Sequence, residues 1–244
     1  MSDVVPYCGT PPLPGDLLHR FNLDPILIAA LLAAAVLHVA TVRNDSARST
    51  RAAVGWGVAA VALLSPLCAL SVSLFAARVA QHMLLVLVAA PLLASSLRSE
   101  ASSRALWPAT LLFFAALWFW HMPVPYAATF RSDLVYWSMH VTLFGSGVWL
   151  WHALLRGRTD RGAVSLAAGT ITSIQMGLLG AVLTLSSRPL FAPHYFTTEA
   201  WGFTPLADQQ LGGALMWVPG CLLFLAVAIR SAAIVWQRLE PARS

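Results

Sequence analysis

The stretch Leu74–Leu97 reads LFAARVAQHMLLVLVAAPLLASSL, and it decides the fold class of the chain. Arg78 is the one residue in it with a full charge. At about 1.5 Å per residue, a helix of this length exceeds the roughly 30 Å hydrocarbon core of a bilayer. The stretch therefore predicts a transmembrane helix.

Six further apolar segments of similar length lie on either side of this one. They are Pro25–Val42, Ala52–Leu70, Ala105–His121, Asp133–Leu155, Ala163–Ser187 and Leu206–Trp236. We therefore predict an all-α fold, a polytopic membrane helix bundle of about seven transmembrane helices within residues 25–236. Residues 1–24 are predicted to form a proline-rich periplasmic tail, and residues 237–244 a short cytoplasmic tail.

The composition of the whole chain supports a membrane protein. Of its 244 residues, 58% are hydrophobic and 10% are charged, and the mean hydropathy is +0.71. A soluble domain carries about 25% charged residues. Too few polar residues are present to cover a water-soluble surface, so the lipid bilayer is the expected surrounding.

The net charge of +5 does not indicate a nucleic-acid partner. Every basic residue is an arginine, and the arginines stand in short runs between apolar segments. This pattern is typical of loops that face anionic lipid and the cytoplasm. No basic patch with interleaved aromatic residues is present in the sequence.

The arginines predict how the bundle is oriented. One side of the predicted bundle carries Arg43, Arg48, Arg51, Arg98, Arg104, Arg156, Arg158, Arg161, Arg230, Arg238 and Arg243. The other side carries only Arg20, Arg78, Arg131 and Arg188. The arginine-rich side of a bacterial inner-membrane protein faces the cytoplasm. We therefore expect the N-terminus outside and the C-terminus in the cytoplasm.

Three histidines are predicted to lie near the outer surface of the bundle. Helical rise places His82 about 12 Å and His140 about 10 Å below this surface, and His121 ends the outward-running fourth segment. Polar side chains inside a membrane usually face the bundle interior. A shared metal site is one interpretation, and hydrogen-bonded core residues and haem or proton handling are the alternatives.

Methionines adjoin these histidines, which points to copper. Imidazole and thioether groups suit Cu(I). Neighbouring residues on a helix point about 100° apart, so an adjacent methionine does not automatically join the same site. Met83, Met122 and Met139 are therefore weaker candidate ligands than the three histidines. His194 and Asp208 are further weak candidates, expected near the same surface.

Two further expectations concern buried polar groups. Arg78 is expected to pair with Asp133 or Asp208, because an unpaired charge within the membrane is costly. Cys68 and Cys221 lie in apolar segments and are expected to be small buried residues, whereas Cys8 has no assigned state. The sequence contains no nucleotide-binding loop, zinc-protease helix or nucleophile elbow, so we do not expect an enzyme.

Several motifs resemble those of the CtaG-type cytochrome c oxidase assembly factors. They are Ala77–Leu85, Ala90–Leu93, Trp118–Pro123, Tyr136–His140, Gln175–Gly180, Pro193–His194, Thr204–Gly213 and Met216–Pro219, with Tyr7–Gly9 in the tail. The strongest match is Thr204–Gly213, which reads TPLADQQLGG. The resemblance runs along nearly the whole chain.

This resemblance implies a seven-helix bacterial membrane protein that helps to mature haem-copper oxidases. It implies copper delivery as the role, with oxidase subunits and periplasmic copper donors as partners. One position departs from the pattern. Many family members have a histidine four residues before the position of His82, where this chain has Arg78. If that histidine is a ligand in those proteins, this chain binds metal differently or not at all.

The sequence thus predicts a membrane-bound metallochaperone that holds copper through His82, His121 and His140. A haem- or quinol-linked membrane redox protein is one alternative. A ligand-free scaffold for oxidase subunits is another. A small-solute transporter is disfavoured, because the sequence shows no inverted repeat or pair of broken helices.

Overall fold

The structure is a computed structural model that describes residues 5–99, 105–156 and 162–239. Within these residues, all regular secondary structure is helical. Four arginines used to predict the orientation, Arg104, Arg158, Arg161 and Arg243, lie outside the described residues. The same holds for most of the predicted cytoplasmic tail, residues 240–244.

The described residues form ten α-helices and one π-helical segment. The helices are α1 (Pro25–Val42), α2 (Ser46–Leu64), α3 (Pro66–Ser73), α4 (Phe75–Met83), α5 (Ala90–Ser96), α6 (Leu106–Trp120), α7 (Pro123–Ala128), α8 (Asp133–Arg156), α9 (Gly162–Thr184) and α10 (Pro205–Leu239). The π-helical segment, Leu84–Ala89, joins α4 to α5. Each of the seven predicted segments therefore contains a helix.

Length and composition identify four to five candidate membrane spans among the described residues. The four are Pro25–Val42, Phe75–Ser96, Gly162–Thr184 and Pro205–Ala233. The helix pair α2 and α3 makes a fifth if it counts as one bent span, and the apolar helix α6 is shorter than these. The chain is thus an all-helical protein with several helices fit to cross a membrane.

The predicted continuous segment Ala52–Leu70 is wrong in one respect, because the helix breaks at Ser65. Helices α2 and α3 meet there at an angle of 48°. Ser65 is extended (ψ 170°), as expected for a residue before proline, and its hydroxyl accepts a hydrogen bond from the Leu67 N–H at 3.3 Å. Pro66 has no N–H to continue the α2 ladder. The break turns α3 away from α2 and positions Cys68.

The continuous helical segment Phe75–Ser96 lies at the centre of the bundle. In its most apolar stretch of 18 residues, 67% of the residues are buried. The segment packs against α2, α8 and α10. The first helix, α1, is peripheral, because only 11% of its 18 residues are buried and it packs mainly on α2. The central position of Phe75–Ser96 surrounds His82 with other helices.

Candidate functional site

Three histidine rings from three helices meet near one end of the bundle. The centre of the His82 ring lies 5.2 Å from that of His140 and 6.1 Å from that of His121. The three side chains are 3–5% exposed. The helices α4, α6 and α8 thus bring together the residues that the depth argument grouped.

Two of these rings have a defined tautomer. The Nδ1–H of His121 donates to the carbonyl of Leu117 at 2.7 Å, and the Nδ1–H of His140 donates to the carbonyl of Tyr136 at 3.1 Å. With the proton on Nδ1, the lone pair lies on Nε2. Among the described residues, the Nε2 of His140 has no hydrogen-bond partner, and neither ring nitrogen of His82 has one. This buried cluster therefore holds several unpaired nitrogen atoms.

The cluster adjoins the π-helical segment that follows Met83. The indole N–H of Trp151 donates to the carbonyl of Val86 within this segment at 2.7 Å. Such π-helical turns are rare and are often found at functional sites. The sequence did not predict this π-helical segment. A π-helical turn contains one residue more than an α-helical turn, and in a continuous apolar run the extra residue leaves no visible change of pattern.

The predicted ion pair of Arg78 is wrong. Among the described residues, the fully buried guanidinium makes no ion pair with Asp133 or Asp208. Its Nη1 donates to the Thr129 hydroxyl at 2.7 Å, and its Cζ lies 4.1 Å from the ring centre of Phe130. An aromatic face offers a cation partial compensation inside a protein. Arg78 therefore places a positive charge one helical turn from His82.

Asp208 has a structural partner of a different kind. Its carboxylate accepts the backbone N–H groups of Phe75 at 2.7 Å and Ala76 at 3.0 Å. These groups have no partner within their own helix, because they lie in the first turn of α4. Asp208 thus fixes the start of the helix that carries His82.

His194 lies outside the ring cluster. Its Nδ1–H donates to the Ser73 carbonyl at 3.2 Å, and its Nε2 accepts the Tyr126 hydroxyl at 2.6 Å. Phe75 lies between His194 and His121, 6.3 and 6.4 Å from the two rings. Burial lowers the pKa of His194 to about 3, so the ring is neutral. In this conformation His194 attaches the loop before α10 to the end of α3.

The three methionines are placed differently. Met139 is fully buried and Met83 is 7% exposed, whereas Met122 is 51% exposed at the start of α7. The thioethers of Met83 and Met139 therefore belong to the core around the cluster, and that of Met122 is open to the surroundings.

Cys68 is buried, as expected, but its sulfur also forms a disulfide bond with Cys8, which the sequence did not predict. This bond attaches the N-terminal tail to α3. Both sulfur atoms lie near the Tyr136 hydroxyl, Cys8 Sγ at 3.3 Å and Cys68 Sγ at 3.7 Å. Cys221 carries a free thiol that contacts the Ser173 carbonyl at 3.5 Å between α9 and α10.

The histidines do not form a closed cage. In the part of the chain that the structure describes, no three or more His, Cys, Asp or Glu side chains are arranged to hold a metal ion. Two imidazoles that share one ion at about 2 Å have ring centres about 5–6 Å apart. The ring-centre distances from His82 to His140 and from His82 to His121 lie near this range.

The fold and the site together define a class of protein: an all-helical membrane protein with a buried histidine cluster near one end of its bundle. Residues 103–238 match the family of cytochrome c oxidase caa3 assembly factors, Caa3_CtaG. This match covers more than half of the chain, and the chain belongs to that family. No curated protein and no solved structure matches it.

The matched region contains part of the site. His121, His140, His194 and Asp208 lie within residues 103–238, whereas His82 and the disulfide precede them. Family membership makes this chain a cytochrome c oxidase assembly factor.

Proposed function

We propose that this assembly factor binds Cu(I) at His82, His121 and His140 and delivers it to the oxidase as cargo. The main support is the set of unpaired nitrogens in the buried ring cluster. A buried polar group without a partner is costly, and a soft cation is a partner that imidazoles accept.

The carbonyl partners of His121 and His140 support the same role. Metal-binding histidines commonly donate their second ring N–H to a carbonyl, which fixes the tautomer and the ring orientation. The Leu117 and Tyr136 carbonyls serve in this way. The ring spacing is close to that of imidazoles sharing one ion, but the cluster does not form a closed cage. Such an open site suits an ion that must later leave.

The packing around His140 favours a small ion over haem. The rings of Tyr136 and Trp137 lie 4.3 and 5.8 Å from the His140 ring, and the His82 ring lies 5.2 Å from it. A porphyrin bound between two histidines needs a wide flat slot between their rings. The 5.2 Å between the centres of the His82 and His140 rings leaves no room for such a slot.

We further propose seven spans in a bacterial inner membrane, with the N-terminus and the histidine cluster on the periplasmic side. Arginine density supports this orientation. The Cys8–Cys68 disulfide supports it independently, because such bonds persist in the periplasm and are rare in the cytoplasm. Cys68 and His194 lie at the same end of the bundle, since His194 contacts the last residue of α3.

The test is copper content of the detergent-purified chain after anaerobic loading with Cu(I). We expect about one copper per chain in the native protein under oxidised conditions, and a loss of most of it in His82→Ala and in His140→Ala. His19→Ala, which alters an exposed histidine of the tail, is the matched control and should keep the copper. Equal copper in all four proteins would contradict the site.

A scaffolding role is the second candidate, and an apolar groove favours it. The groove lies between α1 and α2, measures about 620 Å³, and is lined by apolar side chains with Arg43 at one end. Gly57 lines it, and a Cβ at this position would meet nothing within 4 Å. Small residues let a second transmembrane helix approach closely. A helix of an oxidase subunit is the occupant that family membership suggests.

Co-purification distinguishes this second role. A side chain at position 57 would begin in open space at the groove, and we expect Gly57→Leu to reduce recovery of oxidase subunits with the affinity-purified protein. Gly145→Leu, at another glycine with open space around it, is the control. Unchanged recovery in Gly57→Leu would exclude the groove as the contact.

A further inference from the structure

The disulfide lies one aromatic ring away from the histidine cluster. The Tyr136 hydroxyl contacts both sulfurs, and the ring of the same tyrosine packs on the His140 ring at 4.3 Å between centres. The order from the tail inward is therefore sulfur pair, Tyr136, His140, His82.

Contacts other than the disulfide also hold the tail in place. The Tyr7 ring stacks on Tyr136 at 4.9 Å, and the Tyr7 hydroxyl donates to the Asp24 carboxylate. The Ser73 hydroxyl donates to the Pro12 carbonyl at 3.2 Å on the other side of Cys8. The two cysteines should therefore stay side by side after the S–S bond is broken.

Of the two cysteines, Cys8 is the more accessible. Cys8 is partly exposed, in a turn where Gly9 (φ +89°) donates its N–H to the Pro6 carbonyl at 2.8 Å. Pro6 and Pro11 line a pocket of about 370 Å³ beside this turn. Cys68, by contrast, is 1% exposed. An incoming thiolate would therefore attack Cys8.

We propose that Cys8 and Cys68, once reduced, form a second Cu(I) site that loads copper into the chain ahead of the histidine cluster. This inference rests on the proposed copper role of the cluster. Thiolates are soft ligands that select Cu(I), and two neighbouring thiolates supply a two-coordinate site. In the disulfide state the same sulfurs have no thiolate to offer, so loading depends on reduction.

The reductant is an external dithiol, and the exchange balances. One of its thiolates attacks Cys8 Sγ, the S–S bond breaks, and Cys68 leaves as a thiolate that takes up a proton. The second thiol of the donor then attacks the mixed disulfide and releases Cys8 as a thiol. The donor departs as a disulfide, and the chain has gained two electrons and two protons.

Copper keeps its oxidation state throughout. Cu(I) binds the two cysteines as thiolates and displaces their two protons to water. Its transfer past Tyr136 to His140 and His82 is a ligand exchange in which the sulfurs take up two protons again. No electron moves in this step.

The experiment compares the full-length wild-type chain in detergent in two redox states. One sample keeps the disulfide; the other is treated with dithiothreitol and desalted anaerobically, and thiol alkylation with mass spectrometry verifies both states. Each is loaded with Cu(I), and copper is counted and probed by X-ray absorption. We expect about one additional copper per chain in the reduced sample, with copper–sulfur scattering absent from the oxidised one.

Three variants separate the possible sources of copper. In Cys8→Ser/Cys68→Ser the additional copper should be lost, whereas Cys221→Ser, the thiol control, should keep it. His82→Ala/His140→Ala should lose copper in the oxidised state and keep the additional copper when reduced. If this variant loses none, the proposed histidine site fails while the sulfur site stands.

Three results would overturn the sulfur site. The first is equal copper in oxidised and reduced wild-type protein. The second is a disulfide that dithiothreitol leaves intact in the folded chain. The third is additional copper that persists in reduced Cys8→Ser/Cys68→Ser. Each would leave the disulfide as a cross-link of the tail and would not bear on the histidine cluster.

Discussion

The carboxylate of Asp208 accepts the backbone N–H of Phe75 at 2.7 Å, across 133 positions of the chain. This bond connects the start of α10 to the start of α4, seven residues before His82. A carboxylate that accepts backbone N–H groups at a helix start makes a strong, charge-assisted bond. The position of His82 in the bundle therefore depends on a residue far away in sequence.

We expect Asp208→Asn to lower the free energy of unfolding by about 1–3 kcal/mol, because the amide removes the charge and one acceptor oxygen. Thermal unfolding in detergent measures the change. Asp16→Asn is the control, since Asp16 is exposed and its side chain caps no helix N–H. A variant as stable as the control would show that the bond contributes little.

The sequence was sufficient for the location of the long apolar helices and for the meeting of the three histidines. Lipid requires long apolar runs, and helical rise then sets the depth of each polar residue. The sequence was not sufficient to predict which cysteine or charged side chain pairs with which partner. Cys8 and Cys68 are 60 residues apart, and spacing alone does not pair cysteines. Such pairings depend on tertiary packing.

Arg78 shows the same limit for a charged residue. The cost of a buried charge predicted an ion pair with Asp133 or Asp208, but the guanidinium contacts a hydroxyl and the Phe130 ring instead. The break at Ser65 was also missed, although Pro66 follows it. An apolar run with one proline is compatible with a kinked span or with two helices, and only the surrounding packing decides between them.

Removal of the positive charge of Arg78 should tighten copper binding. Side chains one helical turn apart are separated by about 6 Å, and a unit charge at this distance opposes the binding of a cation by about 3 kcal/mol at an effective dielectric constant near 20. We therefore expect Arg78→Gln to raise Cu(I) affinity by tenfold or more. Arg78→His should raise it further, because it adds an imidazole one turn from His82.

Competition with a chromophoric Cu(I) chelator measures these affinities. Arg131→Gln, which removes an arginine near the pocket beside the tail, is the matched control for net charge. Arg78→Gln with the affinity of the wild-type chain would mean that copper binds away from His82.

The contact of Tyr7 with Asp24 predicts a dependence of stability on pH. The Tyr7 hydroxyl, followed by the Ile26 N–H, stabilises the Asp24 carboxylate and lowers its pKa from the ordinary value of 3.8. A carboxylate with a lowered pKa stabilises the fold above its unfolded pKa, and this contribution is lost as pH falls through the folded pKa. Protonation should therefore weaken the attachment of the tail in acid.

In Tyr7→Phe the pKa of Asp24 should lie closer to its ordinary value. We expect the wild-type chain to have the higher unfolding temperature near neutral pH and the difference to vanish as the pH falls through the lowered pKa of Asp24. Tyr195→Phe is the control, because the Tyr195 hydroxyl donates to the non-titrating Pro189 carbonyl at 3.0 Å. A difference for Tyr7→Phe that stays constant with pH would contradict the carboxylate as its source.

Close packing between α9 and α10 gives the last prediction. A Cβ on Gly180 would lie 2.7 Å from Trp217 Cβ and 2.9 Å from the Gly213 carbonyl oxygen, so Gly180→Ala forces the two helices apart. Overpacking of this kind costs about 1–3 kcal/mol. Gly145→Ala in α8 meets nothing within 4 Å and should stabilise by up to about 1 kcal/mol, because alanine favours a helix.

Unfolding in detergent compares the two glycine variants, and their effects should have opposite signs. Since α10 begins with the segment that carries Asp208, displacement of this helix in Gly180→Ala should also weaken the cap on α4 and reduce Cu(I) affinity at His82. Reduced stability with unchanged copper affinity would separate the two effects. It would show that the start of α10 keeps its place while the rest of the helix moves.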